Sequence, residues 1–242
     1  MAKPWRLIGS VNTDEGLLEL RERGEADYLI SIDNRVLMSS SANISEIVLA
    51  ELACAPLTNK KNPRVLVSGL GMGFTLKAAI DNLPAGAEVV VAEINPIVVQ
   101  WCQGPIAHLT GGALADPRVT VVVGDVAAVI RDAASKTEAD RFDAIILDLY
   151  EGPYEADYLF GAKALEVSRS ALRADGVFAV WSEDPDKAFE KRLQKAKFSV
   201  DLQRPGRGGR KHAVYIARKA DGGKSGRAGK SRPAARKTHK RA

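Results

Sequence analysis

Residues 64–74 read Arg64-Val65-Leu66-Val67-Ser68-Gly69-Leu70-Gly71-Met72-Gly73-Phe74. The apolar, β-branched run predicts a buried strand. Gly69, Gly71 and Gly73 follow it directly, where glycine permits a tight turn and lets a ligand approach the backbone. From Phe74 to about Asn82 the pattern predicts a helix. Further strands are expected at Glu88–Ala92, Val119–Val123, Ala144–Leu147 and Val177–Val180. They are almost continuously apolar and rich in Val and Ile, as parallel strands covered on both faces must be. The segments between them read as helices. Asn95-Pro96 marks one start, with Asn at the cap and Pro in the first turn. The whole predicts an α/β fold, a doubly wound Rossmann-like sheet, in which ligands sit beyond the C-terminal strand ends.

Before this sheet, residues 1–40 read as a small β-strand domain. Trp5–Ile8 and Leu17–Leu20 are separated by Gly9 and Gly16, and Asp33-Asn34 is a hairpin turn between Asp27–Ile32 and Arg35–Met38. A helix follows, with Ser41 or Asn43 as its cap. Residues 41–218 form the sheet domain. It closes with a helix near Pro185–Ala196 and an antiparallel pair, Phe198–Leu202 and His212–Ile216, joined by a basic glycine-rich loop. Residues 219–242 are Gly, Ser, Ala, Lys and Arg without an apolar pattern, which predicts a disordered tail.

That tail dominates the net charge. The chain has 242 residues and a formal charge of +5, yet residues 219–242 hold nine Lys/Arg and one Asp, leaving 1–218 at −3. The body has no nucleic-acid-binding signature. The tail can bind nucleic acid through phosphates, although a solvated extension is the commoner role of such a run. No apolar run reaches 18 residues, and the start Met1-Ala2-Lys3-Pro4-Trp5-Arg6 leads into no signal-peptide stretch, so a membrane partner and secretion are not expected. Cys54 and Cys102 have neither CxxC spacing nor metal-ligand neighbours, which predicts buried thiols, a cytoplasmic protein and no metal. His108 and His212 have no acid or Cys in register and read as structural.

Chemistry concentrates at the strand ends. Glu93 ends the second sheet strand 20 residues after Gly73, where a carboxylate can accept two hydroxyl hydrogen bonds from a ribose. Gly124-Asp125 ends the third, where Asp can accept from an adenine amino group or merely cap the next helix. Asp148 ends the fourth, and Glu151 lies three residues on. Acids and glycines at four strand ends on one sheet edge predict a nucleoside site. GxGxG spacing argues against a dinucleotide, and no Walker lysine follows. The expected ligand is a nucleoside without pyrophosphate, S-adenosylmethionine or a relative.

These residues resemble the spermidine synthase (polyamine aminopropyltransferase) family, methyltransferase-like enzymes with an N-terminal strand domain. The resemblance runs from about Leu29 to Glu183. Arg64–Gly73 is similar to the family's strand and glycine loop, Ala92-Glu93-Ile94-Asn95 to its ribose-binding stretch, and Gly124-Asp125 to its adenine-binding pair. Phe142–Asp148 is similar to the run into its active-site motif. The resemblance implies that Gly69, Gly71, Gly73, Glu93 and Asp125 bind the cosubstrate, decarboxylated S-adenosylmethionine. Asp148 falls on the catalytic Asp and Glu151 on a second acid that holds a small-molecule amine. It implies transfer of an aminopropyl group to a polyamine, and a homodimer. Met72 stands where the family has an Asp for the donor's amine, and Ile44-Ser45-Glu46 where it has Tyr-His/Gln-Glu, so only Glu46 is kept. Two other readings share the scaffold: a methyltransferase using S-adenosylmethionine, and a nucleoside-binding relative without turnover.

Overall fold

The computed structural model describes residues 3–24, 26–149, 157–206 and 211–219. Strands β1 (Arg6–Thr13), β2 (Gly16–Arg23), β3 (Asp27–Ile32) and β4 (Arg35–Ser39) form an antiparallel meander in that order. Asp33 and Asn34 make the β3–β4 turn at φ 44° and 65°, the left-handed region that short polar side chains tolerate. Gly9 does not break β1, against the reading of the sequence. It sits at a register shift after Leu7, and a Cβ there would lie 2.9 Å from Trp101 Nε1, so the strand needs glycine to pass the indole.

Helix α1 (Ile44–Cys54) leads into the large sheet. Asn43 occupies its N-cap position without a side-chain cap bond. The sheet is built from β5 (Arg64–Ser68), β6 (Glu88–Glu93), β7 (Val119–Val123), β8 (Phe142–Leu147), β9 (Leu172–Ser182), β10 (Phe198–Gln203) and β11 (Ala213–Lys219). Its order is β10-β11-β9-β8-β5-β6-β7. Strands β5 to β9 are parallel, and β11 is antiparallel to both neighbours. The helices between are α2 (Phe74–Asn82), α3 (Pro96–Gln103), α4 (Val126–Ser135), α5 (Asp157–Phe160), α6 (Ala162–Ala171) and α7 (Lys187–Lys195). From β5 the chain winds outward through β6 to β7, then returns to β8 on the other side, so the carboxyl ends of β5 and β8 flank the switch point where such sheets open a crevice.

Alternate strand residues enter two cores. Val65, Val67, Val89, Val91, Ala144 and Ile146 pack with α1 to α3 and with Leu18, Leu20, Tyr28, Ile30 and Ile32 of the N-terminal sheet. Leu66, Val90, Ile145, Leu147, Phe178 and Tyr215 pack with α4, α6 and α7. The tail boundary needs correction: Lys219 is not tail but the last residue of β11, paired with Phe198, and its ammonium donates to the Leu172 carbonyl. Residues 220–242, expected to be disordered, lie outside the described residues, as do residues 207–210 of the basic loop before His212. No helix among the described residues is long and apolar enough to cross a membrane.

Candidate active site

The strand registers bring the acids together. Ser68, the last residue of β5, pairs with Ala92 of β6 and Leu147 of β8. One residue further on, Gly69, Glu93 and Asp148 therefore stand at the same level of the sheet edge. Gly69 has φ 81°, and a Cβ on it would lie 1.9 Å from the Asp148 carbonyl oxygen. Glycine at this position is what lets the β8 exit pass across the β5 exit. Gly71 has φ 51°, and a Cβ there would strike Met38 of β4 at 2.8 Å. The Met72 N–H donates to the Met38 thioether at 3.1 Å, so β4 lies over the glycine loop. Met72 itself is fully buried and presents no charge to a ligand.

A cavity of about 450 Å³ opens here, roofed by Leu18, Ile30, Ile32, Leu37 and Met38 of the N-terminal sheet. That volume is within the range of small-molecule sites. Its described charged lining residues are five carboxylates, Glu15, Glu46, Glu93, Asp125 and Asp148, and one guanidinium, Arg35. Acids in this excess draw cations into a cleft.

Glu93 is 6% exposed and is held by the main chain. Its Oε2 accepts from Leu70 N–H at 2.9 Å and its Oε1 from Asn95 N–H at 2.8 Å. Burial raises its pKa against these bonds, and Glu15 adds repulsion. The carboxylate is fixed, with lone pairs left for a ligand. Asp125 lines the cavity and also caps α4, its Oδ1 accepting from Ala127 N–H at 2.8 Å. The cap reading of Asp125 thus holds, and the same residue borders the cavity.

Asp148 is half-buried. Thr75, in the first turn of α2, donates its hydroxyl to Oδ2. Burial, then the charge of Glu46, pushes the Asp148 carboxyl up to about 7, against the lowering effect of Thr75. Glu46 reaches the cavity from α1, with the Ser45 hydroxyl donating to it at 2.6 Å. The expected second acid, Glu151, lies outside the described residues. Sequence reasoning kept Glu46 as the surviving family residue, on a helix closing the cleft, without assigning it a role, and missed Thr75 and Trp181. Thr75 carries a signal, two residues beyond the glycine loop. Trp181 carries one in ending a sheet strand on the ligand edge.

The remaining candidates are structural. His108 packs edge-on against Tyr28 at 5.4 Å. His212 packs against Trp181 at 4.8 Å. Cys54 and Cys102 are free and buried, their thiols pushed up to about 12 by burial. The Cys102 thiol donates to the Gly71 carbonyl at 3.3 Å, bracing the glycine loop from beneath.

Known proteins share this fold. A spermidine synthase solved with the transition state analogue AdoDATO superposes with TM-score 0.70 at 21% identity, covering 89% of this chain and 73% of that one. Human methyltransferase-like protein 13, solved with SAH, gives TM-score 0.59 at 21% identity, over 76% of this chain and 85% of its own. At such identity these establish the fold. In sequence, polyamine aminopropyltransferase 1 of Hyperthermus butylicus is 33% identical over 144 residues, 58% of this chain and 48% of that protein. Putrescine N-methyltransferase 2 of Nicotiana attenuata is 35% identical over 129 residues, 53% of this chain and 33% of that protein. The matched stretch therefore spans a third to a half of these relatives. The spermine/spermidine synthase domain model matches residues 29–198, well over half of the chain, and the chain belongs to that family.

Proposed function

We propose that the chain is a transferase that moves the aminopropyl group of decarboxylated S-adenosylmethionine to a polyamine acceptor. The observation that carries this is the charge of the cavity: five carboxylates against one guanidinium, at the switch-point edge, suit a cationic sulfonium donor and a cationic amine. Glu93 accepts the ribose hydroxyls, Asp125 the adenine amino group, and Gly69, Gly71 and Gly73 let the nucleoside lie against the backbone. Asp148 is the general base. An alkylammonium titrates near ~10.4, so it must give up a proton before it attacks. Asp148 takes that proton, the freed lone pair attacks the methylene next to sulfur, and the C–S bond breaks with its electrons on sulfur. Neutral methylthioadenosine leaves, the new amine keeps the positive charge, and Asp148 releases its proton to solvent. Glu151 steers and holds the acceptor's other ammonium.

The second reading, methyl transfer from S-adenosylmethionine to the same kind of amine, is favoured by the putrescine N-methyltransferase relatives, which match 53% of this chain at 35% identity. Incubation with each donor and putrescine, with products read by mass spectrometry, separates the two: a mass gain of one aminopropyl group supports the first, of one methyl the second. Glu93→Ala should weaken methylthioadenosine binding by ~1–3 kcal/mol, the cost of leaving ligand hydroxyls unpaired. Unchanged affinity in calorimetry would remove Glu93 from the site.

A further inference from the structure

Glu46 is 7% exposed, a depth at which a carboxylate needs partners. It has one through its neighbour: the Ser45 hydroxyl donates to Oε2 at 2.6 Å, and Ser45 accepts from Trp181 Nε1 at 3.1 Å. The indole comes from the end of β9 and packs against His212. Helix α1 lies across β8, β9 and β11, so the relay ties the start of α1 to the strand ends of the site. Among the described residues, Glu46 Oε1 and Asp148 Oδ1 have no hydrogen-bond partner, and both residues line the cavity. Asp148 senses the charge of Glu46, and Arg35 is not among the groups that act on it. Among the described residues, the side-chain partners of these two carboxylates are the neutral hydroxyls of Ser45 and Thr75, and a cation that arrives would balance their charge.

We propose that Glu46 is the second anchor of the acceptor's nucleophilic amine, whose ammonium donates to Glu46 Oε1 and Asp148 Oδ1 together, and that Ser45 and Trp181 are positioning residues that hold Glu46 for it. This rests on the amine-transfer reading above and deepens it. The acceptor is an alkylamine that enters as its ammonium, which has three donors to spend. Asp148 takes the proton, and Glu46 Oε1 keeps a hydrogen bond to the nitrogen while its lone pair turns to the donor.

The test is calorimetric titration of putrescine into the full chain saturated with methylthioadenosine, at pH 8. Glu46→Gln should weaken putrescine binding by about tenfold or more. Ser45→Ala and Trp181→Phe should each weaken it by about three- to tenfold. Ser45→Thr keeps the hydroxyl and should restore wild-type affinity, which a merely structural role for the site's packing would not require. Methylthioadenosine affinity should stay within about twofold throughout, because Glu93 and the glycine loop are untouched. Putrescine affinity in a folded Glu46→Gln chain within about twofold of wild type would overturn the inference. So would a wild-type chain that takes up methylthioadenosine but no putrescine. A wild-type chain that binds no methylthioadenosine would overturn the donor reading instead, and putrescine titrated into the ligand-free chain then decides Glu46.

Discussion

Strand β8 carries an aspartate near each end, and the two live in opposite surroundings. Asp143, at the N-terminal end, is fully buried and saturated with donors. Its Oδ1 accepts from Lys60 Nζ at 2.8 Å, and its Oδ2 from Arg64 N–H at 2.8 Å and Arg173 Nη1 at 2.7 Å. Asp148, just past the C-terminal end, has the Thr75 hydroxyl and the repulsion of Glu46. The first acid is compensated by cations of the fold itself. The second is left short of positive charge beside a cavity. A buried acid whose charge is already met holds structure together, and one whose charge is unmet is free to meet a substrate.

The sharpest way to break this contrast is to neutralise each acid in turn. Asp148→Asn keeps the shape but removes the proton acceptor, so kcat should fall by ~10²–10⁴, the usual scale for a lost general base. Methylthioadenosine affinity should hold. Steady-state kinetics with both donors check this. A variant with wild-type kcat would move the base elsewhere.

Asp143→Asn should do the reverse. Removing one member of a buried ion cluster leaves two cations and an amide facing a weaker acceptor, at a cost of about 3 kcal/mol. For a chain of this size that is about 6–12 °C in Tm. Thermal unfolding reads the loss. Below the transition, methylthioadenosine binding should match wild type, because the change lies at the other end of the strand. A fall in nucleoside affinity with Tm unchanged would erase the distinction.

Both aspartates stand in the single run Phe142-Asp143-Ala144-Ile145-Ile146-Leu147-Asp148, where position singles out Asp148 as the one at the ligand edge but says nothing of what surrounds either. The sheet was legible because its signals are local: Val/Ile runs, the glycine turn, the Asn95-Pro96 start. Glu93 was legible for the same reason, since its partners are the backbone of Leu70 and Asn95 at predictable strand ends. The character of Asp148 was not. It depends on Glu46 and Thr75, and Glu46 in turn on Ser45 and on Trp181, 136 positions along the chain from Ser45. These are brought together by helices crossing the sheet, and no spacing rule in one sequence encodes that. Likewise Gly9 read as a strand break because the indole it accommodates lies far away in sequence.

The contrast can be sharpened with pH. Asp148 is raised from an ordinary 3.8 to about 7 in the fold. A carboxyl raised on folding contributes stability below its unfolded pKa, and that contribution is lost as pH rises through the folded one. The ligand-free wild type should therefore lose stability between about pH 4 and 7 through this group, and Asp148→Asn should not. The Tm of Asp148→Asn relative to wild type should be higher at pH 8 than at pH 5, by roughly 2–4 °C for each kcal/mol released. Saturating putrescine at pH 8 should narrow the gap by supplying the missing charge to the wild type. Parallel Tm-against-pH curves for the two proteins would show that Asp148 does not carry this strain.

The smallest effect should come from the chain's most charged segment. Strand β11 runs antiparallel to β9, so it ends at the Asp143 edge of the sheet, where Lys219 donates to the Leu172 carbonyl. Burial, and then Arg169 and Arg141, hold its ammonium below the usual lysine range. A truncation must keep Lys219, because removing it would cut the last pair of the β10–β11 ladder and confuse tail with sheet. Residues 220–242 carry eight Lys/Arg, one Asp and no large apolar residue. They have nothing to pack, and Lys219, the residue before them, stands at the sheet edge opposite the cavity. Deleting 220–242 should shift Tm by less than about 1 °C and leave kcat and KM for the amine unchanged. It should lower retention on a polyanionic resin, with salt sensitivity lost in step. A Tm drop of several degrees would show that the segment docks on the Asp143 edge. A change confined to KM would show that it reaches around to the acid-lined cavity.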